Sequence, residues 1–191
     1  YEGINLAQAF WASRYGQGQD ENGDYLNCPL SEEEYMFFVH ELLHAQKVQL
    51  RSFEAPQIGE EQARNYFEAC LPIEVLAARD PLSLSYGPMR PVGIHNPNAD
   101  IHPFAVVQLR QENLARSLFN LVGFQTNLTF AEQDRVFRLI PGLENSIFVR
   151  YGQMHRNIYI NAPKNLLPTL QWKFQSHLFF AGQITGMEGY C

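Results

Sequence analysis

The residues His40 to His44 (HELLH) match the pattern H-E-x-x-H, in which two histidines one helical turn apart bind zinc and the glutamate acts as general base. This pattern is typical of metalloproteases. On one continuous helix, however, the stripe of His40 and His44 runs on to Lys47 and Arg51 at steps of three and four residues. Two fixed positive charges would repel a dication there, and the G-x-x-H continuation of the metzincins does not follow. The stripe therefore indicates a solvated helix face, and a zinc hydrolase stays as the alternative.

Three glycines near the end of the chain, Gly182, Gly186 and Gly189, follow the apolar segment Leu178 to Ala181 with the spacing G-x-x-x-G-x-x-G. Many flavoproteins use a strand that runs into such a turn to bring backbone close to an isoalloxazine ring, since glycine has no Cβ to block the approach. Amides at a following helix start can also bond the anionic edge of the ring. By spacing alone, a flavin contact and an ordinary structural turn are both open.

The N-terminal third of the chain has the pattern of helices. Ser31 and Glu34 predict a capping box, in which the serine side chain accepts from the amide three residues on. Apolar residues then recur at steps of three and four and predict one helix with a buried face until about Arg51. Its apolar residues are Tyr35, Phe38, Val39, Leu42, Leu43 and Leu50. Two further predicted helices run from Glu60 to Glu68 and, behind a proline, from Ile73 to Arg79.

From Ser83 onward, short segments rich in β-branched and aromatic residues predict strands of an antiparallel sheet. In the first of them, alternation requires Gln108 and Arg110 to face solvent or a site. A helix is predicted from Thr129, as its N-cap, to Ile140. The sequence therefore predicts an α+β fold. The predicted strands are Phe104 to Arg110, Ser117 to Phe124, Phe148 to Tyr151, Asn157 to Ile160 and Leu178 to Ala181.

The composition is that of a globular chain. Of the 191 residues, 46% are hydrophobic and 18% are charged, which allows one sizeable core or two small ones. No apolar run approaches the roughly 20 residues needed to cross a bilayer, so no membrane partner is expected. The first residues lack the pattern of a signal peptide, and the widely spaced Cys28, Cys70 and Cys191 fit neither a disulfide framework nor a C-x-x-C metal knuckle. A cytoplasmic location is therefore expected.

The net charge of −6 argues against a protein whose whole surface coats nucleic acid, because phosphate binding needs a local excess of Lys and Arg. Any RNA contact must therefore come from a patch. The best candidate comprises Arg135, Arg138, Arg150, His155 and Arg156. The alternative is that these arginines pair with acidic neighbours.

Eight segments of the chain, compared by their residues rather than by spacing alone, resemble one known family. They are Tyr25 to Pro29 (YLNCP), Phe67 to Glu74 (FEACLPIE), Tyr86 to Gly93 (YGPMRPVG), Phe104 to Gln111 (FAVVQLRQ), Asn120 to Asn127 (NLVGFQTN), Arg138 to Asn145 (RLIPGLEN), Val149 to Asn157 (VRYGQMHRN) and Leu178 to Tyr190. Together they closely resemble the TrmFO family of folate- and FAD-dependent tRNA uracil-5-methyltransferases, relatives of the GidA-type flavoproteins. The Rossmann-type G-x-G-x-x-G with which that family begins does not occur in these residues. The chain is therefore expected to be an internal fragment that does not methylate RNA by itself.

The resemblance implies two domains and a set of partners. Residues 1–145 would form a helical and antiparallel-sheet insertion domain that faces the tRNA, and residues 146–191 the C-terminal part of an FAD-binding Rossmann-like domain. The implied reaction methylates C5 of a T-loop uridine in tRNA to 5-methyluridine. Methylenetetrahydrofolate would donate the carbon, FAD would be the cofactor, and NADH or NADPH would be the reductant. A non-catalytic RNA-binding module is the alternative for the isolated fragment, and the oligomeric state is left open.

The resemblance also implies roles for particular residues. Cys70, within FEACLPIE, would be one of two functional cysteines, because uracil C5 is a poor nucleophile until a group such as a thiolate adds to C6. A nearby cation, Arg90 or Arg156, would favour ionisation of that thiol. The remaining site residues form three groups. Gly182, Gln183, Ile184, Thr185 and Gly186 would line the flavin, Glu188 and Tyr190 would face substrate or folate, and Arg90, Arg150, His155 and Arg156 would contact tRNA or flavin.

Overall fold

The computed structural model describes residues 3–18, 23–48, 71–97, 102–153 and 160–186. The chain divides into two compact units, Tyr1–Met154 and His155–Cys191. Two hydrogen bonds hold the end of the first unit: the side chain of Gln133 donates to the Gly152 carbonyl at 2.9 Å and accepts from the Gly152 amide at 2.8 Å. The assignment of functions to residues 1–145 and 146–191 stays a prediction.

A four-stranded antiparallel sheet lies in the first unit. Its strands are β1 (Phe10–Ala12), β2 (Tyr25–Leu30), β3 (Ala105–Gln111) and β4 (Phe119–Leu121), in the order β1-β2-β3-β4. β2 pairs with β3 so that Leu26 lies opposite Leu109 and Cys28 opposite Val107, all on one buried face. The sheet and its helices confirm the predicted α+β class. The prediction that the N-terminal third is helical was wrong for β1 and β2.

The opposite face of the sheet carries polar side chains, as the alternation along β3 predicted. Asn27 is fully buried there, and its side-chain nitrogen donates to the carbonyl oxygens of Phe10, Ala12 and Tyr25 at 2.9–3.3 Å. Gln108 in turn donates to Asn27 Oδ1 at 3.1 Å. A buried amide is costly unless it is hydrogen-bonded. Asn27 therefore links β1, β2 and β3 through its side chain.

Helix α1 (Glu32–His44) begins as predicted and ends earlier than predicted. The capping box is confirmed, since Ser31 Oγ accepts from the Glu34 amide at 3.3 Å and the Glu34 carboxylate accepts from the Ser31 amide at 2.8 Å. Ala45 is already extended, and Lys47 forms an isolated β-bridge with Leu128. Because the backbone after His44 pairs with a distant segment, the helix does not reach Arg51. Its buried residues are Tyr35, Phe38, Val39 and Leu42.

Three further α-helices lie in the described part of the first unit. They are α2 (Ile73–Arg79), α3 (Ser83–Tyr86) and α4 (Phe130–Phe137). The predicted bounds of α2 are confirmed, and Thr129 caps α4 by accepting from the Glu132 amide. α4 ends at Phe137 rather than Ile140, in a turn that precedes Gly142. Within the described ranges, no helix has the length and apolar character needed to span a membrane.

Two predicted strands of the first unit differ from the structure. The segment Ser117 to Phe124 contains only the short β4, and Phe148 to Tyr151 is not a strand. The rings of Phe148 and Tyr151 instead pack beside α4, where Tyr151 stacks on Phe130 at a centroid distance of 4.8 Å. The predicted helix Glu60 to Glu68 and most of the predicted strand Asn157 to Ile160 lie outside the described residues.

The second unit contains the short helix α5 (Ala162–Asn165) and a 3₁₀ helix at Gly182–Thr185. The predicted apolar strand Leu178 to Ala181 is not formed; the segment makes one isolated bridge, Gln171 to Phe179, and Phe179 is 60% exposed. The aromatic ring of Trp172 packs against Phe180 at 5.5 Å. A few turns and ring contacts, rather than a sheet, organise the described part of this unit.

Candidate functional site

The glycine turn of the second unit is left-handed at both ends. Gly182 has φ 74° and Gly186 has φ 84°, a region that glycine occupies far more readily than other residues. A Cβ built on Gly182 would meet no atom within 4 Å. The backbone conformation therefore favours glycine at position 182, and the described residues leave the space above Gly182 open.

Three hydrogen bonds fix this turn. The hydroxyl of the buried Thr185 donates to the Gly182 carbonyl at 2.7 Å, and the Gly186 amide donates to the Gln183 carbonyl at 2.9 Å. The Ile184 carbonyl accepts from the amide of Ile160 at 2.9 Å. The remaining turn residues are exposed. The turn is therefore hydrogen-bonded within the second unit and leaves Gly182, Gln183, Ile184 and Gly186 at the surface.

The other predicted site residues are distributed unevenly. Cys70, His155, Arg156, Glu188 and Tyr190 lie outside the described residues. Arg90 and Arg150 are exposed and belong to the first unit, whereas Gly182 to Gly186 belong to the second. Among the predicted site residues that the structure describes, only those of the glycine turn, Gly182 to Gly186, lie together.

The segment directly after Cys70 is held by a buried carboxylate. Glu74, in the first turn of α2, is 1% exposed and accepts from Thr126 Oγ1 at 2.9 Å and from the Asn127 amide at 2.7 Å. The Ile73 amide donates to the Gln125 carbonyl at 2.8 Å. The start of α2 is therefore fixed to residues 125–127. Glu74 was not predicted as a site residue, although an acidic residue among apolar neighbours behind a proline was the available signal.

Cys28 provides a contrast to the predicted role of Cys70. It is fully buried against the core, and burial, followed by the negative charge of Glu144, raises the pKa of its thiol to about 12. The thiolate is the nucleophilic form of cysteine. Cys28 is therefore a packing residue.

The predicted cationic patch is reduced by ion pairs. Arg135 contacts the carboxylates of Glu41 and Glu132, and Arg138 lies 3.3 Å from Asp134. The alternative that these arginines pair with acidic neighbours is confirmed for both. A phosphate contact by Arg135 or Arg138 would therefore compete with these carboxylates.

The H-E-x-x-H motif lies on α1, as predicted, with both histidines exposed. Glu41, however, does not serve as a free base, because its carboxylate is hydrogen-bonded by the side chains of Arg135 and His40. These contacts, that of Arg135 most of all, lower the pKa of the Glu41 carboxyl. Among the described residues, no group of three or more His, Cys, Asp or Glu side chains could hold a metal ion. The geometry of a zinc hydrolase is not present in this part of the chain.

The family model for glucose inhibited division protein A matches residues 1–191. Three similar relatives are proteins named methylenetetrahydrofolate–tRNA-(uracil-5-)-methyltransferase TrmFO. The relative from Geobacter sp. (strain M21) is 53% identical over 189 residues, and that from Desulfitobacterium hafniense (strain Y51) is 54% identical over 189 residues. The relative from Natranaerobius thermophilus is 53% identical over 190 residues. These alignments cover 99–100% of the chain and 41% of each relative, so the chain spans about two-fifths of the relatives' length.

Proposed function

The chain belongs to the glucose inhibited division protein A family, and on that premise we propose that it forms part of an enzyme that methylates uracil C5 in tRNA. The observation that carries the proposal is identity of about 53% across the whole chain to relatives whose names state this reaction. Methylenetetrahydrofolate is the carbon donor in this proposal, and a T-loop uridine is the target. The reductant is NADH or NADPH.

FAD is the proposed cofactor, and the second unit is proposed to be part of the domain that binds it. The exposed turn Gly182 to Gly186 is held by the hydroxyl of Thr185 and by Ile160, so its backbone is fixed before any ligand arrives. Bound FAD would transfer the one-carbon unit and the reducing electrons. The part of this turn is to present backbone to the ring, with Glu188 and Tyr190 facing substrate or folate.

Cys70 is the proposed catalytic residue of this chain. Its role is either addition of the thiolate to uracil C6, which makes C5 nucleophilic, or assistance at the flavin or at the C5 proton, with a second cysteine taking the other role. The buried carboxylate of Glu74 supports this function by fixing the start of α2, which follows Cys70 after two residues. Arg90 and Arg156 are the candidates for the cation that favours thiolate formation.

The proposed tRNA contacts involve cations that the ion pairs of α4 leave available. Arg135 and Arg138 are both compensated by carboxylates. The exposed Arg90 and Arg150, together with His155 and Arg156, are therefore the proposed contacts to phosphate or to flavin. The flipped or opened base would then reach the site at a cost of a few kcal/mol of lost pairing and stacking.

The test compares two cysteine variants in a protein of the relatives' length that contains this chain. Cys70→Ala is expected to lower transfer of labelled carbon from methylenetetrahydrofolate into tRNA on the order of 10³-fold or more, as the loss of a nucleophile does. Cys28→Ala is the matched control, since its thiol is buried and protonated, and it should retain activity within about tenfold. Normal turnover by the Cys70 variant would remove this residue from the mechanism.

A further inference from the structure

Two histidines near the C-terminal end of α1 lie against each other on the surface. The ring centroids of His40 and His44 are 4.3 Å apart, with an interplanar angle of 33°. The side chain of His40 is 62% exposed, and His44 is exposed as well. The proposed methyltransferase chemistry uses neither residue.

The tautomer of His44 follows from its hydrogen bond. Its Nδ1 lies 2.7 Å from the carbonyl oxygen of His40, and a carbonyl oxygen can only accept. Nδ1 must therefore carry the proton. In the neutral ring, Nε2 then has a free lone pair.

His40 is oriented in the same way by a different acceptor. Its Nδ1 lies 3.2 Å from Glu41 Oε1, and the other oxygen of that carboxylate is bonded by Arg135. The ionised carboxylate accepts from Nδ1, so Nε2 of the neutral His40 ring also has a free lone pair. Metal-binding histidines almost always donate their second ring nitrogen to a carboxylate or a backbone carbonyl, and here one histidine has each kind of partner.

We propose that His40 and His44 form a chelating site for a late first-row dication, with Nε2 of each ring as a ligand and water completing the coordination. Zinc and copper bind imidazole nitrogen at about 2.0–2.1 Å, so two ligand nitrogens at neighbouring coordination positions are about 3 Å apart. Rings with centroids 4.3 Å apart can bring two nitrogens to that separation. The order of affinities expected for such ligands places Cu²⁺ above Ni²⁺ and Zn²⁺.

The end of α1 takes Lys47, one of the two cations that argued against a dication, out of the histidine stripe. Because the helix ends at His44, Lys47 does not continue the histidine stripe and instead lies in a β-bridge with Leu128. The C-terminal end of a helix carries a partial negative charge, which favours a cation. The bound ion would be a surface chelate rather than a hydrolase centre, because Glu41 is occupied by Arg135 and His40.

The test measures binding of Cu²⁺ and Ni²⁺ to the chain and to its variants by calorimetry, with electron paramagnetic resonance for Cu²⁺. His40→Ala and His44→Ala should each lower the affinity at least tenfold, since a chelate is replaced by a single ligand. The resonance spectrum of the parent protein should show coupling to two imidazole nitrogens.

A second histidine pair supplies the matched control. His95 and His102 are also exposed, but their rings are 5.9 Å apart and meet edge to face. The double variant His95→Ala/His102→Ala should change the affinity less than about twofold, because it leaves both ligands of the chelate in place. Equal loss in this variant, or unchanged binding in His44→Ala, would overturn the proposal. Circular dichroism of all the variants should match that of the parent, since every substituted side chain is exposed.

Discussion

Replacement of Glu74 tests whether one buried carboxylate fixes the segment after Cys70. The side chain is 1% exposed and accepts from two donors, the Thr126 hydroxyl at 2.9 Å and the Asn127 amide at 2.7 Å. Glu74→Ala removes the acceptor of both donors, the buried Thr126 hydroxyl and the half-buried Asn127 amide. Each hydrogen bond to a charged group contributes about 1.5–3 kcal/mol, so the variant should lose about 3–6 kcal/mol of unfolding free energy. This is a large part of the 5–15 kcal/mol that is typical of folded domains.

Two further variants separate the hydrogen bonds from the loss of side-chain volume. Glu74→Gln keeps the shape and one acceptor oxygen for the Asn127 amide, so its loss should be smaller, about 1–2 kcal/mol. Thr126→Val removes the hydroxyl that donates to Glu74. The same hydroxyl oxygen accepts from the Leu128 amide at 3.1 Å, and that bond is lost as well. A double-mutant cycle of Glu74→Ala with Thr126→Val should give a coupling energy of about 1–2 kcal/mol, as expected for side chains in direct contact.

The assay is urea unfolding followed by far-ultraviolet circular dichroism, with Glu33→Ala as the control. Glu33, like Glu74, lies in the first turn of a helix, but it is exposed. The control should therefore lose at most about 1 kcal/mol, the usual contribution of an exposed carboxylate to the helix dipole. A loss below about 1 kcal/mol in Glu74→Ala itself would refute the reasoning, because the buried Thr126 hydroxyl alone should cost more than that when it loses its acceptor.

Three other predictions concern α1 and the core. Ser31→Ala removes the side-chain acceptor of the capping box and should lower the unfolding free energy by about 1 kcal/mol; an unchanged urea midpoint would contradict the role of the cap. Burial raises the pKa of the Cys28 thiol to about 12, above its ordinary value near 9, so the folded state favours the protonated thiol. The protonated thiol therefore contributes stability that is present below about pH 9 and is lost as the pH rises towards 12. The loss amounts to at most about 4 kcal/mol of unfolding free energy. The parent protein should lose more stability than Cys28→Ala over that interval. The same thiol should resist alkylation until the protein unfolds, and rapid labelling of the native state would count against its burial.

The features that the sequence predicted correctly depend on neighbours in the chain. The capping box of Ser31 and Glu34 and the cap of Thr129 each involve a side chain and an amide three residues away. α2 begins directly behind Pro72. Such contacts form from a few adjacent residues, so their residue types are sufficient to predict them.

The missed strands depend on partners far along the chain. β2 pairs with β3 about 80 residues later, and it contains Pro29, a residue type that is rare in interior strands. Pro29 is nevertheless compatible with this position. The amide of its partner Val106 donates to Met89 rather than to β2, so the nitrogen of Pro29 faces the side of β1. There β1 pairs only with Tyr25 to Asn27, and the missing N–H costs no hydrogen bond of the sheet.

The end of α1 shows how the same kind of distant contact changes the interpretation of a candidate site. No glycine or proline follows His44 directly, so the sequence gives no local signal to stop the helix there. The stop comes from residues 127–129: Val48 donates to the Asn127 carbonyl at 2.8 Å, and the Thr129 amide donates to the Gln46 carbonyl at 3.0 Å. Glu74 bonds the amide of the same Asn127. One segment thus fixes the start of α2 after Cys70 and also ends the helix at the histidine pair, which is why the stripe from His40 to Arg51 could not be judged from helical periodicity.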